Sequence, residues 1–269
     1  MSRKSQTIVT RVAVYQSLPP PLDYELPRAI VADAVNLRGA GESRPHSHPR
    51  TQLLYAARGT LTTTAEEGTW VAPPERAIWI HADVVHVTRH SIGTELRTIF
   101  IRKDAVSGMP ARCAVVQVSP LLRELLLAVV RLPKLYDEDG ADGRLVQVLL
   151  DRIAVLPDEP LYLPMPANKK LRAIATELAE RPGVPLAKAA CNAAMSPRSF
   201  ARHFLTETGL TFGRWQRQAR LLRALELLGT GLGVGEVAFT LGYESTSAFI
   251  AVFRRTFGTT PARYFARPK

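Results

Sequence analysis

The sequence predicts an α+β chain of two domains: an N-terminal β-barrel with helices behind it, then an all-α domain of two helix-turn-helix units joined by a long helix. Three observations lead there. Short runs rich in β-branched and aromatic residues, broken by Gly, Pro and Asp, fill residues 29–101. Apolar residues recur at helical spacing from Ser119 onward. The charge is uneven: from Pro166 to Lys269 there are 16 Lys and Arg against 6 Asp and Glu, out of 35 and 24 in the whole chain. A basic half joined to a nearly neutral one points to a polyanion partner, because neutralised phosphates release counterions. A merely solubilising basic surface is the plainer alternative.

With 46% hydrophobic and 22% charged residues the chain is globular rather than disordered. The opening "MSRKSQTIVTRVAVYQSLPPP" has no apolar run of signal-peptide length, and nowhere do 18 uncharged apolar residues run together. The expectation is a soluble cytoplasmic protein with no membrane partner. Cys113 and Cys191 form no CxxC pair, which argues against a disulfide framework or a zinc finger.

In chain order, the runs Leu53 to Tyr55, Leu61 to Thr64, Ala77 to Ile80 and Leu96 to Ile101 are strands of a barrel or sandwich. Tyr55, Trp70 and Trp79 either line a pocket or pack the sheets. Leu121, Leu122, Leu125, Leu126, Val129 and Val130 make a helical stripe, a surface for a second copy of the chain or for the barrel. A second helix covers Leu145 to Leu156. The segment "LPDEPLYLPMPANKK" has four prolines and no periodicity, so the domains are placed at 1–156 and 169–267 with a linker at 157–168.

In "GVGEVAFTLGYESTSAFIAVFRRTFG", Val234, Val237, Ala238 and Leu241 face one side of a short helix, Gly242 suits a tight turn, and Ser245 caps a helix from Thr246 to Phe257. This is the plan of a helix-turn-helix, whose second helix enters the major groove. It recurs in "PLAKAACNAAMSPRSFARHFLTETG", where Ser196 caps, Pro197 starts the helix, and Phe200 and Phe204 are buried. Arg198 and Arg202 point outward there and suit guanine edges or phosphates. Thr211 caps the joining helix, on which Arg214, Arg217, Gln218 and Arg220 are candidate phosphate contacts. The two capping serines stand 49 positions apart, and the recognition helices could enter groove segments about 34 Å apart.

Residues 167–267 resemble the DNA-binding domain of the AraC/XylS family of bacterial transcription regulators. The likeness is carried by Ala238, Gly242, Tyr243, Ser245, Phe249, Phe253, Phe257, Gly258, Pro261 and Tyr264. It implies base-reading positions at Arg198, Ala201 and Arg202 in the first unit and at Thr246, Ser247, Ile250 and Ala251 in the second. Arg254 and Arg255 are either a solvated face or phosphate contacts. Ala194 departs from the glycine frequent in the first turn. Ile250 and Ala251 cannot hydrogen-bond base edges, so the first unit is expected to do most of the direct readout. The resemblance implies promoter DNA and RNA polymerase as partners, action at the nucleoid, and a lean towards activation.

Five of the six histidines lie between His46 and His90. In "HSHPRTQLLYAARG", His46, His48 and Gln52 would share one face of a strand, and His86 or His90 could add an imidazole. The spacing is similar to the first motif of the cupin fold, with Gln52 at the acidic ligand's place. "IHADVVHVTRH" resembles the second motif, with His86 at the ligand position and Asp83 where glycine is usual. A cupin-like effector barrel ahead of such a DNA-binding domain is a pairing the resemblance implies. His46, His48, Gln52 and His86 are therefore candidate ligands for zinc, nickel, manganese or iron, or else they line a pocket for an organic effector. His81 and His90 read as rim positions. A metal-dependent cupin enzyme with a DNA-binding tail is the alternative, weakened by Gln52 and by the lack of paired carboxylates or a nucleophile constellation. A purely architectural DNA binder would have little use for an effector barrel.

Overall fold

The computed structural model describes residues 13–14, 24–107 and 112–266. The stretch before Tyr24, apart from a two-residue strand, and the last residue of the domain expected at 169–267 lie outside them. Twelve strands and nine helices are described in chain order. The strands are β1 (Ala13–Val14), β2 (Ile30–Leu37), β3 (Gly41–Glu42), β4 (Thr51–Arg58), β5 (Leu61–Ala65), β6 (Gly68–Ala72), β7 (Arg76–Ile80), β8 (His86–His90), β9 (Thr94–Ile101), β10 (Ala114–Gln117), β11 (Asp158–Glu159) and β12 (Tyr162–Pro164). The helices are α1 (Pro120–Val129), α2 (Ala141–Ile153), α3 (Lys169–Glu180), α4 (Leu186–Asn192), α5 (Pro197–Thr208), α6 (Phe212–Gly229), α7 (Val234–Thr240), α8 (Thr246–Phe257) and α9 (Pro261–Tyr264).

The strands form two six-stranded sheets, β1-β3-β8-β5-β6-β12 and β11-β10-β7-β4-β9-β2, which face each other as a barrel. Alternation along β4 sorts its side chains. Gln52, Leu54 and Ala56 turn inward, whereas Leu53 and Tyr55 join Trp79 and Ile99 on the outer face, under α1 and α2. Of the two readings open for Tyr55 and Trp79, packing is what the fold uses. Trp70 is buried inside and stacks on Tyr162 at 5.0 Å.

The α1 stripe is likewise resolved. Leu122, Leu125, Leu126 and Val129 are buried against the sheet and α2, leaving only Leu121 markedly exposed. Of the two readings open for the stripe, packing against the barrel is what these four side chains do. The helix read at Leu145 to Leu156 runs from Ala141 to Ile153, starting earlier because Gly140 and Asp142 open it ahead of the first leucine.

The stretch expected as a linker belongs to the barrel. β11 pairs with β10, and β12 pairs with β6 at Leu163↔Thr69. Its prolines erase any sequence periodicity, yet β11 and β12 are the end strands of their sheets, where proline is tolerated. Only the neighbouring strands make the segment regular.

In the helical half the expected helix caps are in place. Ser196 and Ser245 accept hydrogen bonds from Ser199 N at 3.2 Å and Ala248 N at 3.1 Å, and Thr211 caps α6. The turns of the two units close alike, with Met195 N donating to Ala190 O at 2.9 Å and Tyr243 N to Ala238 O at 3.0 Å. Phe200, Phe204, Trp215, Phe249 and Phe253 are fully buried, while Phe257 is only half-buried, packed on Tyr264. Among the described residues no helix is long and apolar enough to cross a membrane, and Cys113 and Cys191 are both free.

Candidate functional site: a three-imidazole cluster behind two recognition helices

His46, His48 and His86 meet inside the barrel. His46 and His86 face each other across an isolated antiparallel bridge, with His46 N donating to His86 O at 3.1 Å and His86 N to His46 O at 2.9 Å. The strand β4 starts only at Thr51, so His46 and His48 do not lie on it as their spacing suggested. A bend carries His48 instead, held by Asp83 N donating to His48 O at 2.9 Å. Asp83 takes φ 65°, which explains why this turn favours glycine and tolerates aspartate.

Ring centroids lie 4.3 Å apart for His46 and His86, and 5.2 Å apart for His48 and His86. One nitrogen from each ring falls within 4.8 Å of the others. His48 and His86 are 3% and 2% exposed, which leaves entry on the His46 side.

Each ring is oriented the same way. Nδ1 of His46, His48 and His86 lies 2.9, 2.6 and 2.9 Å from the carbonyl oxygens of Arg44, Arg50 and Val84. A carbonyl only accepts, so each Nδ1 carries the hydrogen and each Nε2 carries a lone pair. Each ring therefore keeps one nitrogen able to accept, within a cluster whose ring nitrogens approach to within 4.8 Å. Burial lowers the His48 pKa and pushes that of His86 down to about 4, so both rings are neutral near neutrality. The Gln52 amide oxygen also faces His48 Nε2, at 3.1 Å, while its NH2 group donates to Thr98 Oγ1 at 2.8 Å. An oxygen set against a nitrogen lone pair is unfavourable unless a cation or a proton lies between them, or unless the amide turns so that its NH2 donates to His48 Nε2 and its oxygen accepts from Thr98. The residues thus fit a divalent metal: three imidazoles, one amide oxygen, and backbone carbonyls behind the rings fixing each of them.

His81 is half-buried beside the barrel mouth, and His90 Nδ1 lies 3.3 Å from Ser91 O, so neither joins the cluster. Arg50 went unnoticed in the sequence although it follows the histidines directly. Its buried guanidinium donates to the carbonyls of Tyr24, Leu26 and Arg28 at 2.6–2.9 Å, which pins that segment over His48 and Phe100.

On the other half, Arg198 and Arg202 are exposed on α5, with Ala201 half-buried between them. Thr246, Ser247, Ala251 and Arg254 are exposed along one side of α8, and Ile250 is half-buried there. Arg217 stands apart from both sets, exposed on α6 at the edge of a cleft beside the barrel.

The two halves are joined by an ion cluster that sequence reasoning missed. Arg89 on β8 meets Glu180 of α3 at 2.6 Å and Glu226 of α6 at 3.8 Å. Arg223 reaches Glu226 at 2.8 Å and Glu180 at 3.4 Å, and Thr62 donates to Glu226 at 2.6 Å. Glu180 is 91 residues from Arg89, so no local pattern could have paired them.

A barrel with a buried histidine cluster, docked through α3 and α6 on a half that carries two capped recognition helices, defines a class: a DNA-binding regulator carrying its own ligand-binding domain. The comparisons agree. A family described as AraC-like ligand binding domain matches residues 36–151, and one described as helix-turn-helix domain matches residues 189–267. The chain is 39% identical over 224 residues to the HTH-type transcriptional regulator NimR of Escherichia coli, covering 82% of each. It is 34% identical over 103 residues to the regulator RipA of Corynebacterium glutamicum, covering 38% of this chain and 31% of that one. A solved structure of ToxT from Vibrio cholerae aligns over 88% of this chain and 97% of that one at 11% identity, with a TM-score of 0.37. The chain belongs to the AraC-type family of helix-turn-helix transcription regulators. None of these likenesses is to an enzyme.

Proposed function

We propose that this regulator reads its promoter chiefly through Arg198 and Arg202 on α5, and that a divalent metal held by His46, His48, His86 and Gln52 modulates that reading. The approach of one ring nitrogen from each of three histidines to within 4.8 Å carries the metal assignment. Zinc, nickel, manganese and iron(II) all accept imidazole, so the donor set defines a group of metals rather than one. The metal would supply a fixed positive charge at the barrel mouth. Ser247, Thr246 and Ile250 add contacts from α8, with Ala201 packing against a base edge and Arg254 on a phosphate. The same reading takes RNA polymerase as a partner and the cytoplasm, at the nucleoid, as the place of action.

Strand β8 supports a route between the two sites. Alternate residues face opposite sides of a strand, so β8 carries His86 inward to the cluster and Arg89 outward to Glu180 and Glu226. Movement of His86 on ligation shifts Arg89 three residues away, and with it α3 and α6.

The test measures metal content of untagged protein together with binding to operator and random DNA. We expect about one equivalent of metal, lost in His48→Ala, and an operator affinity that changes when the metal is removed. Arg198→Ala should weaken operator binding by about 1–3 kcal/mol and leave random DNA nearly unaffected. Equal losses on both DNAs would end the base-reading role, and a metal-free wild type would leave the histidines as lining for an organic effector.

A further inference from the structure

A second cavity lies outside the barrel, between it and the second helix-turn-helix. It encloses about 670 Å³, within the roughly 300–1,000 Å³ of small-molecule sites. Its walls come from the loop and strands around Glu159 to Leu161, from α6, and from α8 and α9. Leu161, Leu221, Val252 and Phe257 make an apolar floor.

Around that floor stand Arg76, Arg214, Arg217, Arg220 and Arg255 against a single acid, Glu159. Arg76 already engages Glu159 at 3.3 Å. The other four make no ion pair among the described residues. Three polar atoms of the lining, Arg76 Nε, Arg220 Nε and Tyr264 Oη, are cut off from solvent with no hydrogen-bond partner, and of these only Arg76 Nε has a charged neighbour, Glu159. Arg220 is held in place by the Tyr243 ring, 5.4 Å from its guanidinium carbon.

DNA does not account for Arg76, on the barrel, or for the half-buried Arg220, although Arg255 also borders the α8 face of Ser247 and Arg254. Val252 and Thr256 line the cleft from roughly 150° around α8 from Ser247 and Arg254, at 3.6 residues per turn. The barrel closes the opposite wall, so no duplex fits between. What fits is a small molecule with one planar anionic end, which guanidinium forks bind best, and an apolar body for the floor.

We propose that the cleft binds a small organic carboxylate with an apolar body, at a site separate from the barrel histidines. Such a ligand touches the barrel, α6 and α8 at once. It therefore favours the docked arrangement and, by linkage, alters operator affinity.

The test is fluorescence titration of the full chain with 2-naphthoate and, as a neutral match of the same rings, 2-naphthol. The expected result is saturable naphthoate binding with naphthol at least about tenfold weaker, as loss of a charge-assisted pair implies. Arg217→Gln, an exposed change that leaves the core intact, should weaken naphthoate about tenfold or more without affecting naphthol. Tyr264→Phe, which removes only the orphaned hydroxyl, should weaken it less, with an unchanged melting temperature. No binding at millimolar naphthoate, equal binding of the two probes, or full affinity in both variants would overturn the proposal.

Discussion

Ala194 sits at φ 52°, where an L-residue is strained by about 1–2 kcal/mol, at the place where the second unit has Gly242 at φ 72°. The sequence marked this position, because the repeat of Ala190 and Ala194 matches that of Ala238 and Gly242. Ala194→Gly relieves the strain but loosens the unfolded chain by about 0.5–1 kcal/mol, leaving roughly 0–1.5 kcal/mol in favour of glycine. Thermal melting of the variant should rise accordingly. Gly229 is the opposite case. It ends α6, where alanine would gain about 1 kcal/mol of helix propensity, yet a Cβ there would run into Thr60 of the barrel. Gly229→Ala should lower the melting temperature of the full chain despite that gain. An increase would mean that α6 does not press on the barrel this closely.

At the scale of elements, α5 and α8 are alike in length and capping but present different surfaces. α5 offers two exposed arginines near its start, whereas α8 offers Thr246 and Ser247 there and Arg254 two turns on. The unit with arginines is suited to direct readout, the other to anchoring. If Arg254 anchors a phosphate, Arg254→Ala should reduce the slope of log affinity against log salt by about 0.9 without changing base preference. An unchanged slope assigns Arg254 to a solvated face. These helices were legible in the sequence because their caps, turns and apolar periods are local. β11 and β12 were not, because two- and three-residue strands in a proline-rich segment exist only by pairing with β10 and β6.

Across the whole molecule, the barrel and the DNA-binding half share one continuous core, in which Trp70 and Leu163 lie with Leu171 and Trp215. Trp215 Nε1 donates to Pro164 O at 2.7 Å, and Gln218 donates to Tyr162 O. The ion cluster adds charge specificity to that docking. Burial alone would raise the Glu180 carboxyl, but Arg89 and Arg223 outweigh it and hold its pKa below the usual 4.5. A lowered carboxylate pKa contributes stability above the ordinary value that is lost as pH falls through the lowered one. The docking should therefore loosen only below about pH 4.5, as Trp215 fluorescence can show. Arg89→Ala removes the barrel's charge from the cluster. We expect the effect of a barrel ligand on operator affinity, about 5–150-fold for a typical coupling, to shrink towards none while metal content stays unchanged. A coupling of undiminished size would place the route elsewhere.

By itself the sequence determined the class of this protein. Helix caps, turn residues, the apolar period of each recognition helix and the two histidine motifs all act over a few residues, so their spacing in the chain is their spacing in space. It also named His46, His48, Gln52 and His86 together, although it placed the first two on a strand that begins after them. Only the tertiary structure decided which ring nitrogens face one another, which side of β4 holds Tyr55, where the α1 stripe is spent, and that Arg89 meets Glu180 and Glu226. Those outcomes depend on contacts between segments far apart in the chain, whose free energy is gained only when both surfaces are already formed.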